Sequence, residues 1–347
     1  MKAKKENIVN KNRHELYQVV PLETPYSLFV DICNACNFKC KFCAIQYSDR
    51  KLNFRKQCME WELYEKIICD LKEFPHPLKM MRLTANGEPL VNKRLPDMIR
   101  LAKETGVTEH IEIVTNGSLL NPVLNRELVD AGLDRIRISI EEISAEGYFN
   151  MAGVKLDWDS FLNNIQDLYN TRHTNGRDLE IYIKTVDAAV NTKEKEKQFF
   201  ELFGNMCDKI SVEHVIPIWT GYDEINNDFN IEQEEGLHGH GVRDVDICPF
   251  PFYSFVINPD GEITACCNDW ERKISFGYVQ EKSLYNLWNG EEYHSFLTGM
   301  ISKGRKKNHP EGCAKCKYPC FDAVDNLDPY KFQLLEKFNE KYSYESK

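Results

Sequence analysis

Residues 36–43 read C-N-F-K-C-K-F-C, three thiols at the spacing C-x3-C-x2-C, with a fourth, Cys33, just upstream. Thiolates are soft ligands that suit iron–sulfur clusters and zinc. Three of them from one short loop can hold three irons of a cubane and leave the fourth iron without a protein ligand. A structural cluster closes with a fourth cysteine. An open iron is therefore a place for a substrate or cofactor to coordinate, as an open position separates catalytic from structural zinc. If Cys33 joins the set, C-x2-C-x3-C-x2-C is instead a tight four-thiolate zinc site.

The chain has 13 cysteines in 347 residues, and ten of them fall in two groups, 33–43 and 248–320. In a cytosolic chain of this size such clustering reads as metal ligation rather than disulfides, and as two sites. Cys58, Cys69 and Cys207 lie between the groups. Cys69 falls inside an apolar helical pattern and reads as core; each of the three is also a candidate hydrogen-atom donor.

Composition bounds the rest. Hydrophobic residues make up 42% and charged residues 28%, which is ordinary for a soluble globular protein of one large or two smaller domains. No window approaches a membrane span. The basic N-terminus lacks the apolar run of a secretory signal, so a cytoplasmic location is expected. A net charge of −10 argues against a nucleic-acid partner. The basic run Lys303–Lys307 reads as a solvated loop.

The elements that must position the thiols follow a βα rhythm. Residues 26–32 are a short apolar run of β-formers, and the cysteine loop begins where this first strand ends. Strands are expected at 78–84, 111–115, 135–140, 179–186 and 209–216, alternating with helices at 59–74, 93–105, 121–131, 158–169 and 194–203. Six such units imply a parallel, barrel-like sheet with helices outside, a fold that places its sites after the carboxyl ends of the strands. The rhythm stops after Ile216. His238 and His240 lie in the polar stretch that follows and read as part of a solvated loop. Next come a hairpin, 253–258 and 262–266 about Pro259-Asp260-Gly261, a helix at 283–300, the run Cys313-x2-Cys316-x3-Cys320, and a final helix near 329–342.

With this loop and rhythm, residues 26–325 resemble the radical S-adenosylmethionine (SAM) superfamily. Cys36, Cys40 and Cys43 stand at its cluster positions, and Phe42 is its usual aromatic before the last cysteine. The resemblance implies an α/β fold, a partial (β/α)6 TIM-like barrel followed by a small α+β auxiliary-cluster domain. It also implies a [4Fe–4S] cluster that reductively cleaves SAM to methionine and a 5′-deoxyadenosyl radical, which takes hydrogen from the substrate. Asn86-Gly87-Glu88-Pro89 is similar to the family's G-G-E-P motif. Gly87 would let the backbone approach SAM, and Glu88 would accept hydrogen bonds from the SAM ammonium. Thr115-Asn116-Gly117 looks like its T-N-G, which brings in Asn116. Ser139 would meet the SAM ribose or carboxylate, and Lys184 the carboxylate.

Cys248-x12-Gly261-x4-Cys266, a long gap, then Cys313-x2-Cys316 resembles the SPASM/twitch extension of the same superfamily. The resemblance implies one auxiliary [4Fe–4S] cluster held by Cys248, Cys266, Cys313 and Cys316, with Cys267 and Cys320 as spare thiols. A zinc ribbon on the same four thiols is the alternative. The expected organisation is an arm at 1–25, the barrel at 26–220, a loop at 221–247, the auxiliary domain at 248–325, and a helix and tail at 326–347. The expected activity is oxidation or epimerisation of a small polar substrate, of the sugar or cyclitol kind, fed by an external electron donor such as flavodoxin or ferredoxin. A peptide-modifying maturase is the alternative enzyme, and a non-enzymatic zinc-binding protein the alternative class. Residues 1–25 are too short for a peptide-recognition domain. Aromatics including Trp219, Tyr222 and Phe250 are candidates to line a substrate pocket.

Overall fold

In a computed structural model, residues 1–6, 14–44, 55–174, 176–216, 234–237, 241–321 and 324–343 are described. His238, His240, Trp219 and Tyr222, with most of the expected 221–247 loop, lie outside them.

Ten strands form one sheet in the order β1-β7-β6-β5-β4-β3-β2-β8-β9-β10. β1 is Lys4–Lys5, and β2 (Ser27–Val30), β3 (Met80–Arg82), β4 (Ile111–Thr115), β5 (Arg135–Ile140), β6 (Glu180–Val186) and β7 (Lys209–Glu213) are the six strands of the βα series. All pair in parallel. Such pairing needs crossover connections, and helices supply them. These are α1 (Trp61–Leu71), α2 (Leu95–Thr105), α3 (Pro122–Ala131), α4 (Ala145–Ala152), α5 (Trp158–Thr171) and α6 (Lys193–Phe203). The linear strand order leaves the barrel open.

β5 shows how sequence sets the faces. In R-I-R-I-S-I the isoleucines 136, 138 and 140 are buried in the core. Arg135, Arg137 and Ser139 point the other way and line the interior cavity, as the two-residue period of a strand requires.

The C-terminal segment joins this sheet directly. β8 (Ser254–Ile257) pairs in parallel with β2, the strand that feeds the cysteine loop. The hairpin to β9 (Glu262–Thr264) turns at Gly261, whose φ of +90° is open to glycine at little cost. A third strand, β10 (Ser275–Tyr278), pairs antiparallel with β9. The single helix expected over 283–300 is two, α7 (Leu284–Trp288) and α8 (Glu291–Lys303). The break falls at Asn289-Gly290, where Gly290 serves as the cap of α8. α9 (Lys331–Ser343) is the last element among the described residues.

The N-terminal arm is tied down. β1 extends the sheet beyond β7, Leu16 and Val20 are buried, and Tyr17 stacks on Tyr330. Lys337 on α9 donates to the carbonyls of Tyr17 and Gln18. Cys69, expected in the core, is exposed on α1 instead, because Tyr64, Ile67, Ile68 and Leu71 form the buried stripe.

Candidate active site

Cys36, Cys40 and Cys43 follow the carboxyl end of β2 on a loop clamped from three sides. From the turn after β3, the Glu88 N–H donates to the Ala35 carbonyl at 2.9 Å. From the turn after β4, Asn116 Nδ2 donates to Asn37 Oδ1 at 2.9 Å, and Asn37 Nδ2 donates to Ser118 Oγ at 2.8 Å. From the end of α4, the carbonyls of Ala152 and Met151 accept from the N–H groups of Lys39 and Lys41.

Gly87 explains the tightness of the first clamp. A Cβ there would sit 2.0 Å from the Cys33 carbonyl oxygen and 2.7 Å from that of Ala35. A close approach that needs a glycine is thus made to the cysteine loop itself.

Glu88 is held by the same loops. It is 1% exposed, and its carboxylate accepts from the Leu90 N–H at 3.0 Å, Thr115 Oγ1 at 2.6 Å and the Asn116 N–H at 2.8 Å. Three of roughly four acceptor positions are filled, which locks the turn after β3 to the turn after β4. Burial, only partly opposed by those donors, raises its carboxyl to about 7. Lys184, expected to meet a ligand carboxylate, donates to Glu213 Oε2 at 2.6 Å.

Even so, one cavity of about 730 Å³ gathers Cys36, Cys40, Cys43, Phe42, Gly87, Glu88, Asn116, Ser139 and Lys184 in its lining. The same cavity shows residues that the sequence reading missed. Arg82, Glu112, Arg135, Arg137 and Glu213 form an ionic lattice on its inner strands. The alternation that turned Ser139 inward carried the signal for Arg135 and Arg137. Glu141, just past β5, is a further one. Its carboxyl contacts Cys40, and burial raises it to about 7 against the pull of Lys184.

Burial, partly opposed by the Phe38 N–H, pushes the Cys36 thiol up to about 11, and burial raises Cys40 further. Burial thus favours the protonated form of Cys36 and Cys40, and loading iron must release those protons. Among the described residues no three His, Cys, Asp or Glu side chains converge on one ion position. A cubane does not ask for that, since its three loop thiolates bind three different irons. Three thiols on one clamped loop beside an open cavity fit such a cluster. Cys33 stands apart, with its sulfur against that of Cys58 at 2.7 Å.

Cys248, Cys266, Cys313 and Cys316 form the second set. Burial raises Cys248, with Cys316 and Cys313 adding to the effect. The neighbouring Cys267 thiol and then burial raise Cys266, with Cys248 and Cys316 contributing. Burial pushes Cys313 up to about 12. Cys248 and Cys316 thus each lie within electrostatic reach of the other three named thiols, a donor set that fits a closed cluster. Arg305, from the run expected to be solvated, is 2% exposed here. Its guanidinium donates to the carbonyls of Val245, Cys313 and Cys316 at 2.7, 2.7 and 2.6 Å. Cys267, next in sequence to Cys266 of the second set, lines the large cavity together with the three loop thiols.

Fold and thiols together define an iron–sulfur protein on an open α/β barrel. Residues 30–177 match the model of the radical SAM superfamily, and residues 248–317 match that of an iron–sulfur cluster-binding domain, SPASM. The chain thus carries a radical SAM domain and a C-terminal SPASM region. The first match implies a [4Fe–4S] cluster and SAM, and the second auxiliary iron–sulfur clusters.

The chain is 27% identical over 308 residues to the tungsten-containing aldehyde ferredoxin oxidoreductase cofactor-modifying protein of Pyrococcus furiosus, covering 78% of this chain and 82% of that one. It is 24% identical over 333 residues to the Fe-coproporphyrin III synthase of Methanosarcina barkeri, covering 82% and 78%. Its fold is similar to Streptococcus suis SuiB, crystallised with the precursor peptide SuiA, with a TM-score of 0.60 at 17% identity over 90% of this chain and 74% of that one. No helix among the described residues is long and apolar enough to cross a membrane.

Proposed function

We propose that this radical SAM enzyme oxidises a small, polar, anion-bearing substrate held in the cavity beside its three-cysteine loop. The observation that supports it is the composition of that cavity. The loop thiols and Cys267 border the same space, whose inner strands carry Arg82, Arg135, Arg137 and Lys184. When bound, the cluster and SAM supply a carbon radical that removes a hydrogen atom from the substrate.

The chain's own part is to hold and shield. Arg137 and Lys184 bracket Glu213, and Arg82, Arg135 and Arg137 surround Glu112. The guanidinium groups suit a carboxylate or phosphate better than a neutral sugar. Phe29, Phe250 and Trp270 supply an apolar wall that keeps water out. Cys267 at the cavity border, adjacent in sequence to the second set, favours net oxidation over epimerisation, because a cluster held there could take an electron from the substrate. Phosphorylated or acidic sugars and cyclitols fall within this class. Electrons would come from a flavodoxin or ferredoxin in the cytoplasm.

A second reading, chemistry on a cofactor rather than on a metabolite, is favoured by the two relatives above, which align along most of both chains.

The test is anaerobic turnover of reconstituted protein with dithionite, SAM and matched pairs of anionic and neutral candidates. Methionine and 5′-deoxyadenosine in equal amounts, rising with the anionic member of a pair, are expected. A colourless protein with stoichiometric zinc would sink the reading. Deuterium from solvent in the product would turn it to epimerisation.

A further inference from the structure

Cys33 and Cys58 belong to neither cluster set, yet they are placed with care. They face each other across an isolated antiparallel bridge. The Asn34 N–H donates to the Gln57 carbonyl at 3.1 Å, and the Met59 N–H to the Ile32 carbonyl at 2.8 Å. These bonds flank the two cysteines, which makes them a non-hydrogen-bonded pair. Directly opposed Cα atoms in such a pair lie about 4.5 Å apart, with their side chains close. That separation is within the range a disulfide spans, about 4.4–6.8 Å.

The sulfurs already touch, with Cys58 Sγ 2.7 Å from Cys33 Sγ. Side chains fix both segments. Asn34 Oδ1 accepts from the Gln57 N–H at 2.7 Å, and Asn34 Nδ2 donates to the Arg55 carbonyl at 3.2 Å. Asn92 Nδ2 donates to the carbonyls of Ile32 and Met59 at 3.1 and 3.4 Å. Cys33 is 1% exposed, while Cys58 is half-buried. Neither lines the cavity that holds Cys36, Cys40 and Cys43.

We propose that Cys33 and Cys58 form a reversible dithiol–disulfide couple that staples the two ends of the segment carrying the cluster cysteines. The oxidant is a low-molecular-weight disulfide. The half-buried Cys58 attacks one of its sulfurs as a thiolate, forming a mixed disulfide and releasing one small thiol. Cys33 then displaces the second small thiol from Cys58. One sulfur–sulfur bond is broken and one formed. The two protons and two electrons lost by the cysteines leave in the two small thiols. Cys36, Cys40 and Cys43 keep their thiols, so the staple is compatible with a loaded cluster.

The test is an anaerobic redox titration of the cluster-loaded protein against glutathione and glutathione disulfide. Thiols are quenched in denaturant with light iodoacetamide, then reduced, labelled with heavy iodoacetamide and mapped by peptide. Cys33 and Cys58 should pass together, and completely, from light to heavy label in one two-electron step, while iron content stays constant. A peptide linking them should appear without reduction. In Cys58→Ser, Cys33 should stay light throughout. The same titration of metal-free protein reads the pair independently of any cluster, and so apart from radical SAM chemistry. The proposal is overturned if either cysteine stays light at the most oxidising ratio, if the two titrate separately, or if Cys33 is found linked to Cys36, Cys40 or Cys43.

Discussion

The guanidinium of Arg305 lies with Nη2 3.6 Å from the sulfur of Cys320, while its Nη1 donates to the carbonyls of Cys313 and Cys316. A buried cation thus braces the loop that delivers two of the auxiliary thiols. Such neighbours set ligand orientation and redox potential in metal sites. Arg305→Gln should lower the midpoint potential of the auxiliary cluster by tens of millivolts, because a positive charge that favours the reduced form is gone. Arg305→Lys, which keeps the charge but loses the planar fork, should fall between. A redox titration followed by electron paramagnetic resonance reads the shift. An unchanged potential at full iron content would assign Arg305 to folding alone.

The two thiol sets should load separately. Two cubanes hold about eight irons per chain. Cys43→Ser should leave about four of them and abolish SAM cleavage. Cys316→Ser should also leave about four, with cleavage retained. Iron analysis and 5′-deoxyadenosine assays check both. If Cys320→Ser also halves the iron, it replaces one of the four thiols named for the auxiliary site.

Gly87→Ala should damage the first site without touching a thiol. The new methyl would meet the Cys33 carbonyl at 2.0 Å, and backbone on a clamped loop cannot step aside as a flexible side chain does. Overpacking of this kind costs about 1–3 kcal/mol. A lower melting temperature and a selective loss of the first cluster's iron are expected. Full loading of both clusters would show that the loop shifts more easily than its hydrogen bonds suggest.

What the sequence disclosed and what it hid divide along local and distant information. The cysteine loop and the six βα units are written in spacing and periodicity within short windows, so they could be read without a structure. Arg305 could not, because its neighbours Lys303, Lys306 and Lys307 are exposed. It is buried only because the Val245 carbonyl and the cysteine turn come back to meet it. The Cys33–Cys58 pair is hidden for the same reason, since no spacing rule joins two lone thiols across a bridge. That Gly87 and Glu88 also brace the loops around them is equally distant information, and only tertiary contacts show it. Arg135 and Arg137 are different: strict alternation places them beside Ser139, so the inward-facing charge was there to be read.

Glu112 should make stability fall in acid. It is 2% exposed, with Arg82 Nη2 at 2.6 Å, Arg135 Nη1 at 3.3 Å and Arg137 Nη1 at 3.7 Å. Burial alone would raise its carboxyl, but the three guanidinium groups outweigh it and hold the group at about 2, against an ordinary 4.5. A carboxylate depressed in the folded state takes up its proton more readily when the chain is unfolded. Its contribution is therefore complete above pH 4.5 and is lost as the pH falls toward about 2. The amount is on the order of 3 kcal/mol. Glu112→Gln should flatten this acid limb. It should also cost about 3–5 kcal/mol near neutral pH, where the arginines lose their buried partner. Thermal melts from about pH 7 to about pH 3 check both effects, with the proton linkage read from the slope. An acid limb unchanged in Glu112→Gln would move the linkage to other carboxylates and leave the lattice a packing device.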